Sequence, residues 1–345
     1  MSILMIDGFD MYNGTGTTTG AGLKWTVTGG SSSLTTGRFA GQGLLMGSSG
    51  SGAGRITRAF TGSPVTSVGI GVAINVNVMP TNDSVHGFIS LLKGTTYTFG
   101  LRITTTGGLE AYRLTAVNAG VSLGTAPAGT ITVGWHYFEI AVTISDTVGT
   151  VLVKVDGSTV MNLSGLDTNN AVTNVDTVSF GFNANNPGGL NIIVDDLYIT
   201  DGATLGERKI ETLYPSADTA TKNWTPNSGT DNYSRVNETT VDGDTSYVQA
   251  STVGTRDLYT VGPLSSTPTV IDAVQIVSFM EKTDATTRTV YNSCQSAGTD
   301  SDGSAFALAA TYGRFDRILS TDPNGGGSWT ASRVNGLLIG PKIAS

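Results

Sequence analysis

The stretch Val68-Gly69-Ile70-Gly71-Val72-Ala73-Ile74-Asn75-Val76-Asn77-Val78 places a β-branched residue at every second position and fills the gaps with small or polar ones. A two-residue period of this kind describes a strand with one buried face. The pattern returns along a chain rich in Gly and Thr. Gly134-Trp135-His136-Tyr137-Phe138-Glu139-Ile140-Ala141-Val142-Thr143-Ile144 sets Phe138, Ile140, Val142 and Ile144 on one face, with Tyr137, Glu139 and Thr143 on the other. Gly149-Thr150-Val151-Leu152-Val153-Lys154-Val155-Asp156-Gly157 follows, and its Asp-Gly marks a hairpin turn. Helical periodicity is almost absent. The sequence therefore predicts an all-β fold, with strands about ten residues apart arranged as a double-sheet sandwich or jelly roll.

Working outward, further strands are expected between Gly87 and Thr104, from Leu109 to Thr115, over Val178–Phe182 and over Ile192–Ile199. A low-complexity segment, Gly47-Ser48-Ser49-Gly50-Ser51-Gly52, interrupts the first half. The alternation pauses at Asp201-Gly202-Ala203-Thr204-Leu205-Gly206-Glu207 and resumes in Val270–Phe279, Arg288–Tyr291, Phe306–Ala309 and Arg314–Leu319. Two antiparallel β-sandwich domains in tandem are expected, 1–203 and 204–345, without a repeat between them.

Composition narrows the function. Charged residues make up 13% against 39% hydrophobic, so Thr, Ser, Asn and Gly must cover the surface, as in secreted and particle-bound β proteins. Twenty-seven acidic against 19 basic residues leave a net charge of -8, which repels a phosphate backbone and argues against a nucleic-acid partner. Cys294 is the single cysteine, which excludes an intrachain disulfide and a thiolate metal cage. No apolar run approaches the roughly 20 residues of a membrane span. The start Met1-Ser2-Ile3-Leu4-Met5-Ile6-Asp7-Gly8 has no basic leader, so synthesis in a cytoplasm and display outside are expected.

The order of the Trp135-His136 strand, the hairpin ending at Asp156-Gly157 and the strand Val194-Asp195-Asp196-Leu197-Tyr198-Ile199 resembles concanavalin-A-like or laminin-G-like jelly rolls, over about residues 1–202. Phage and prophage proteins often carry such domains. The second half resembles a segment that follows these jelly rolls in tailed-phage structural proteins. That resemblance rests on Leu213-Tyr214-Pro215-Ser216-Ala217-Asp218, Trp224-Thr225-Pro226-Asn227-Ser228-Gly229, Asn232-Tyr233, Asp257-Leu258-Tyr259 and Ala273-Val274-Gln275. It implies a non-enzymatic structural component of a tailed-phage virion, either a capsid decoration or a tail and receptor-binding protein. Its partners would be other virion proteins and copies of itself as trimer or hexamer, with a host surface glycan as candidate ligand. The first sandwich begins almost at Met1 and no heptad run is visible, which favours a compact appendage over a fibre. The alternatives are a surface polysaccharide hydrolase or depolymerase on the same scaffold, and a soluble lectin.

Candidate chemistry is sparse. With two histidines, His86 and His136, a His-based metal site or Ser-His-Asp triad has little to draw on, and His136 reads as structural. Glycosidic cleavage by hydrolysis needs paired carboxylates. Glu139 has no acidic partner two to five residues away and reads as an outward-facing strand residue. Asp195, Asp196 and Asp201 lie at a strand end where jelly rolls place calcium ligands, but Asp195 or Asp196 equally suits a bond to loop backbone. Asp300-Ser301-Asp302-Gly303 begins like a calcium loop yet lacks Gly at the sixth and Glu at the twelfth position. Tyr12, Trp25, Tyr112, Trp224 and Tyr233 are aromatic candidates for a sugar platform, and each reads equally as a core or corner residue. The residues thus assign no catalytic, cofactor or metal site.

Overall fold

The computed structural model describes residues 1–14, 20–28, 32–47, 54–83, 87–116, 119–182 and 188–345. The Ser48–Gly52 portion of the low-complexity segment, and His86, lie outside the described residues. The fold is all-β, as the alternation predicts, and the chain divides into two compact units, Met1–Ile210 and Glu211–Ser345.

The first unit is a jelly-roll β-sandwich with these strands among its described residues: β1 (Ile3–Asp7), β2 (Thr26–Thr28), β3 (Ser32–Thr36), β4 (Gln42–Gly47), β5 (Arg55–Ala59), β6 (Ser67–Val78), β7 (Ile89–Lys93), β8 (Thr96–Ile103), β9 (Leu109–Ala116), β10 (Ala119–Ala126), β11 (Gly134–Thr143), β12 (Gly149–Val155), β13 (Ser158–Leu166), β14 (Thr177–Gly181) and β15 (Asn191–Thr200). The first sheet runs β13-β12-β11-β6-β15-β4-β3 with β1 also on β15, and the second runs β10-β9-β8-β7-β14-β5-β2. Every pairing is antiparallel, consistent with tight Gly-containing turns.

Register follows from the apolar period. Val68, Ile70 and Val72 face Val142, Ile140 and Phe138, which in turn face Val151, Val153 and Val155. These residues are all buried. Slipping any of these strands by one residue would turn the row to the outer face. From the opposite sheet come Ile89, Leu91, Phe99, Leu101, Val178 and Phe180, also buried. Phe88 meets Phe138 edge to face with ring centroids 5.4 Å apart. Each such side chain contributes about 1.5–3 kcal/mol on burial, offset largely by the entropy of ordering the chain. The predicted Asp-Gly turn forms with Asp156 at φ 49° and Gly157 at φ 77°, the doubly positive geometry that suits a two-residue hairpin loop.

The second unit has a sheet ordered 215–222, 257–261, 338–343, 289–296 and 299–301, and two separate ribbons, 225–226 with 248–249 and 274–280 with 313–319. The strand expected from Val270 begins at Val274, and Val270 itself is exposed. Its core gathers Ile276, Cys294, Leu319, Trp329, Val334 and Leu337. Around buried Asp257 the polar loops converge. Its carboxylate accepts from Asn223 N at 2.6 Å, Trp224 N at 2.8 Å, Asn232 Nδ2 at 2.6 Å and the Tyr259 hydroxyl at 2.7 Å.

Candidate functional site

A sandwich offers two outer faces, and in the first unit they are treated differently by the chain itself. On the first sheet the outward positions of β6, β11 and β15 supply Ala73, Tyr137 and Tyr198, joined by Trp135 and by Leu205 of the segment that leaves β15. That segment is strapped down. The Tyr198 hydroxyl accepts from Leu205 N at 2.7 Å and donates to Gly206 O at 2.9 Å, and Thr204 Oγ1 donates to Glu139 Oε2 at 2.7 Å. Glu139 does face outward, as its place in the alternation predicts, yet it is only 5% exposed because the strap lies over it.

Asp195 and Asp196 belong to the same knot. Strict alternation would bury one carboxylate and expose the other, but the pairing of β15 with β6 shifts register between Asp195 and Tyr198. Asp196 takes φ 48° at this bulge, and both residues are buried. Asp195 accepts from Arg38 N and from Asp196 N, each at 2.7 Å, and Asp196 accepts from Ile210 N at 2.7 Å. The Arg38 guanidinium lies 3.7 Å from Asp196, binds Glu207, and stands over the Tyr137 ring at 5.2 Å. Burial, then the neighbouring Asp196 charge, lifts the Asp195 carboxyl to about 7. Burial lifts Asp196 to about 6 against the Ile210 bond and the Arg38 charge. Asp201 does not join them, since it binds Ser2 N at 2.5 Å. The pair anchors loop and strap backbone. Among the described residues there is no group of three or more metal-type side chains.

The second sheet carries a different outer face. Its register lines up Thr57, Ser179, Ser90, Gly100, Tyr112 and Ser122 across six strands, alternating with the core positions. Small residues occupy the middle of this row, and Ser90 and Ser179 are buried. One step along, Arg102 of β8 pairs with Glu110 of β9. Arg102 Nε and Nη2 both donate to Glu110 Oε2, at 3.1 and 2.5 Å, and the guanidinium stands 5.2 Å over the Tyr112 ring. Burial pushes the Glu110 carboxyl up, but hydrogen bonds from Ser122, Tyr112 and Arg102 and the guanidinium charge outweigh it and leave the group ionised below its ordinary range. Burial, then the bond to Glu110, raises the Tyr112 phenol well above its ordinary value. At the edge strand β10 the face opens to solvent, with Val121 50% exposed and Ser122 exposed. A cation, a carboxylate and a phenol, joined to one another, thus lie beside the exposed Ser122 hydroxyl of the edge strand, while Leu114 covers Gly100 in the middle of the row. This is the donor and acceptor set that sugar hydroxyls and carboxylates require.

Of the other sequence candidates, Tyr12 and Trp25 are buried in the core. Trp224 Nε1 donates to Thr255 O at 3.4 Å and Tyr233 N binds Asp218, so both serve loop geometry in the second unit. His136 joins Asp156 Oδ2 through Nδ1 at 2.7 Å and meets the Thr132 hydroxyl through Nε2 at 3.2 Å, stapling the turn before β11. Asp300 pairs with Arg256 at 3.0 Å, and Asp302 with Lys342 and Ser293. Tyr112 lies on the outer face of the second sheet, packed under the Arg102 guanidinium and only 5% exposed. Arg102 and Glu110 were missed. Their signal was present: each sits between core residues, and the Thr104–Gly108 turn makes them direct cross-strand partners.

No family model matches the chain and no curated protein matches its sequence. Solved structures do resemble it. The cellulose-induced protein Cip1 is 14% identical over 52% of this chain and 93% of its own, with a TM-score of 0.38. An endo-β-1,4-glucuronan lyase from the fungus Trichoderma reesei is 17% identical over 52% of this chain and 89% of its own, TM-score 0.35. The alginate lyase vAL-1 from Chlorella virus is 12% identical over 59% of this chain and 99% of its own, TM-score 0.39. The expectation of a non-enzymatic chain is corrected to this extent: two of these three β-sandwich proteins are polysaccharide lyases, so the architecture gives no ground for excluding an enzyme. None of the three is a phage virion protein, and at these scores the likeness concerns architecture alone.

Proposed function

We propose that the first domain engages a polysaccharide at the outer face of its second sheet, along the exposed edge strand β10 beside Arg102, Glu110 and Tyr112. The single observation behind this reading is the contrast between the two faces: one is strapped shut by residues 203–210, while the other sets a buried Arg–Glu–Tyr group beside an exposed edge strand. Hydrogen bonding by a buried charged group gives specificity for hydroxyl and carboxylate patterns that an exposed residue cannot.

Depolymerisation is the second reading, favoured by the direct contact of Glu110 with Tyr112. Cleavage of a uronate chain by elimination needs a cation to neutralise the sugar carboxylate, a proton acceptor and a proton donor, and these three residues supply one of each. Carriage of this domain on a tailed-phage particle, in several copies, is part of the same proposal. It rests on the resemblance of residues 213–275 to phage structural segments, which makes the second domain the attachment half.

The test is to mix the purified chain with a panel of neutral and uronate polysaccharides and follow binding by calorimetry and cleavage by ultraviolet absorbance of a new sugar double bond. Binding lost in Arg102→Met supports the site, and absorbance growing with time identifies the reaction. No binding to any of the panel, together with antibody label absent from purified phage particles, would sink the proposal.

A further inference from the structure

The N-terminal strand ends in a buried charge pair. Asp7, the last residue of β1, and Lys24, the last of the short helix Gly20–Lys24, have side chains 2% and 1% exposed, with Nζ 3.4 Å from Oδ2. Around them stand Phe9, Tyr12 and Trp25, all buried: Phe9 stacks on Trp25 at 6.2 Å and meets Tyr12 edge-on at 6.0 Å. Burying both ions carries a desolvation cost that a covalent bond between them would remove.

The hydrogen bonds on that acid are arranged unequally. Oδ2 receives the Tyr12 hydroxyl at 2.5 Å and Trp25 Nε1 at 2.7 Å, while Oδ1 receives Phe9 N at 2.9 Å from a residue held at φ 57°. One oxygen thus has a backbone donor fit to stabilise an oxyanion, and the other has a phenol placed to pass it a proton. Lys24 Nζ also donates to Ile6 O at 2.5 Å, which holds the amine on this side of the carboxyl.

We propose that Lys24 and Asp7 condense to an intrachain amide, so that the mature chain is covalently closed between β1 and the helix. A proton passes from Nζ to Oδ2, the neutral Nζ adds to Cγ, charge builds on Oδ1 against Phe9 N–H, and the Cγ–Oδ2 bond breaks as Oδ2 leaves. The proton lost by nitrogen reaches Oδ2 through the Tyr12 hydroxyl. An ammonium and a carboxylate become one amide and one water, with no oxidant, metal or other reactant. Water exclusion by the aromatic wall favours this direction, and the product removes both buried charges. A permanent loop closure at the first strand would resist the unzipping that frees chain ends.

Intact-mass measurement of the full chain after denaturation tests this directly. The expected result is a chain short of its sequence mass by one water, and a digest containing a branched peptide that joins Asp7 to Lys24. Lys24→Arg, which keeps a cation but cannot form this bond, should have its full mass, and Tyr12→Phe should close at least tenfold more slowly on incubation of freshly made protein. A full-mass wild-type chain after prolonged incubation, with Asp7 and Lys24 in separate peptides, overturns the proposal. So does a lost water that maps elsewhere, as to the Asp156-Gly157 turn.

Discussion

Tyr198 lies flat against Gly71: a Cβ on Gly71 would fall 2.1 Å from the Tyr198 ring. The missing side chain in the deciding strand is therefore what lets an aromatic residue two strand positions beyond the bulge cover the first sheet and hold the exit strap through its hydroxyl. Gly71→Ala is expected to displace the ring and destabilise the first domain by about 1–3 kcal/mol. Urea unfolding followed by tryptophan fluorescence checks it, and an unchanged midpoint would mean that the strap does not depend on this contact.

At the proposed glycan face, Arg102→Met should weaken polysaccharide binding on the order of 10- to 100-fold, the effect of losing a charge-assisted bond. Tyr112→Phe retains the ring under the guanidinium but loses the phenol. It should leave affinity within a few-fold while abolishing any elimination activity, so titration calorimetry and product absorbance on the same samples separate the roles.

The Asp195–Asp196 knot makes a signed prediction about pH. Folded values of about 7 and about 6, against an ordinary 3.8, mean that the folded chain binds more protons than the unfolded one between these limits. Their contribution is present below about pH 4 and is lost as pH rises through 6 and 7. Glu110 and Asp176 of the same domain are held low by their partners and act oppositely, losing stabilisation as pH falls below about 4. Thermal unfolding of the first domain should therefore peak between about pH 4 and 6, and Asp195→Asn should flatten the decline toward pH 8. A melting temperature that rises steadily from pH 5 to 8 would contradict this account.

In the second domain, Asp257→Ala removes the acceptor of four donors in a fully buried site. Loss on the order of 4 kcal/mol is expected, because the Asn223 and Trp224 amides, the Asn232 amide and the Tyr259 hydroxyl are left without it. Calorimetry of the full chain should show a lowered transition for this domain alone. Asp257→Asn keeps one acceptor oxygen and should fall between the two.

Much of the fold was legible because its rule is local. Val68 to Val78 and Phe138 to Ile144 each declare a buried face by their own spacing, and Asp156-Gly157 declares the turn that joins β12 to β13. The aromatic candidates illustrate where that legibility stopped. Tyr12, Trp25 and Tyr112 look alike in sequence, and only the placement of their strands and loops sends two into the core and one to an outer face. Arg102 and Glu110 were silent until the β8–β9 register paired them. Asp195 and Asp196 bond loop backbone, as the sequence allowed, but the burial of both was hidden, because alternation assumes a regular ladder and the bulge against β6 breaks it.

The sequence by itself determined the all-β class, the core faces of the long strands and the position of the sharp turn, since side-chain period and backbone sterics act over a few residues. Only the tertiary structure decided which outer face is closed. The strap over Tyr137 and Glu139, and the row from Thr57 to Ser122, join residues far apart in the chain, and their proximity depends on how two twisted sheets pack and not on the period of any one strand.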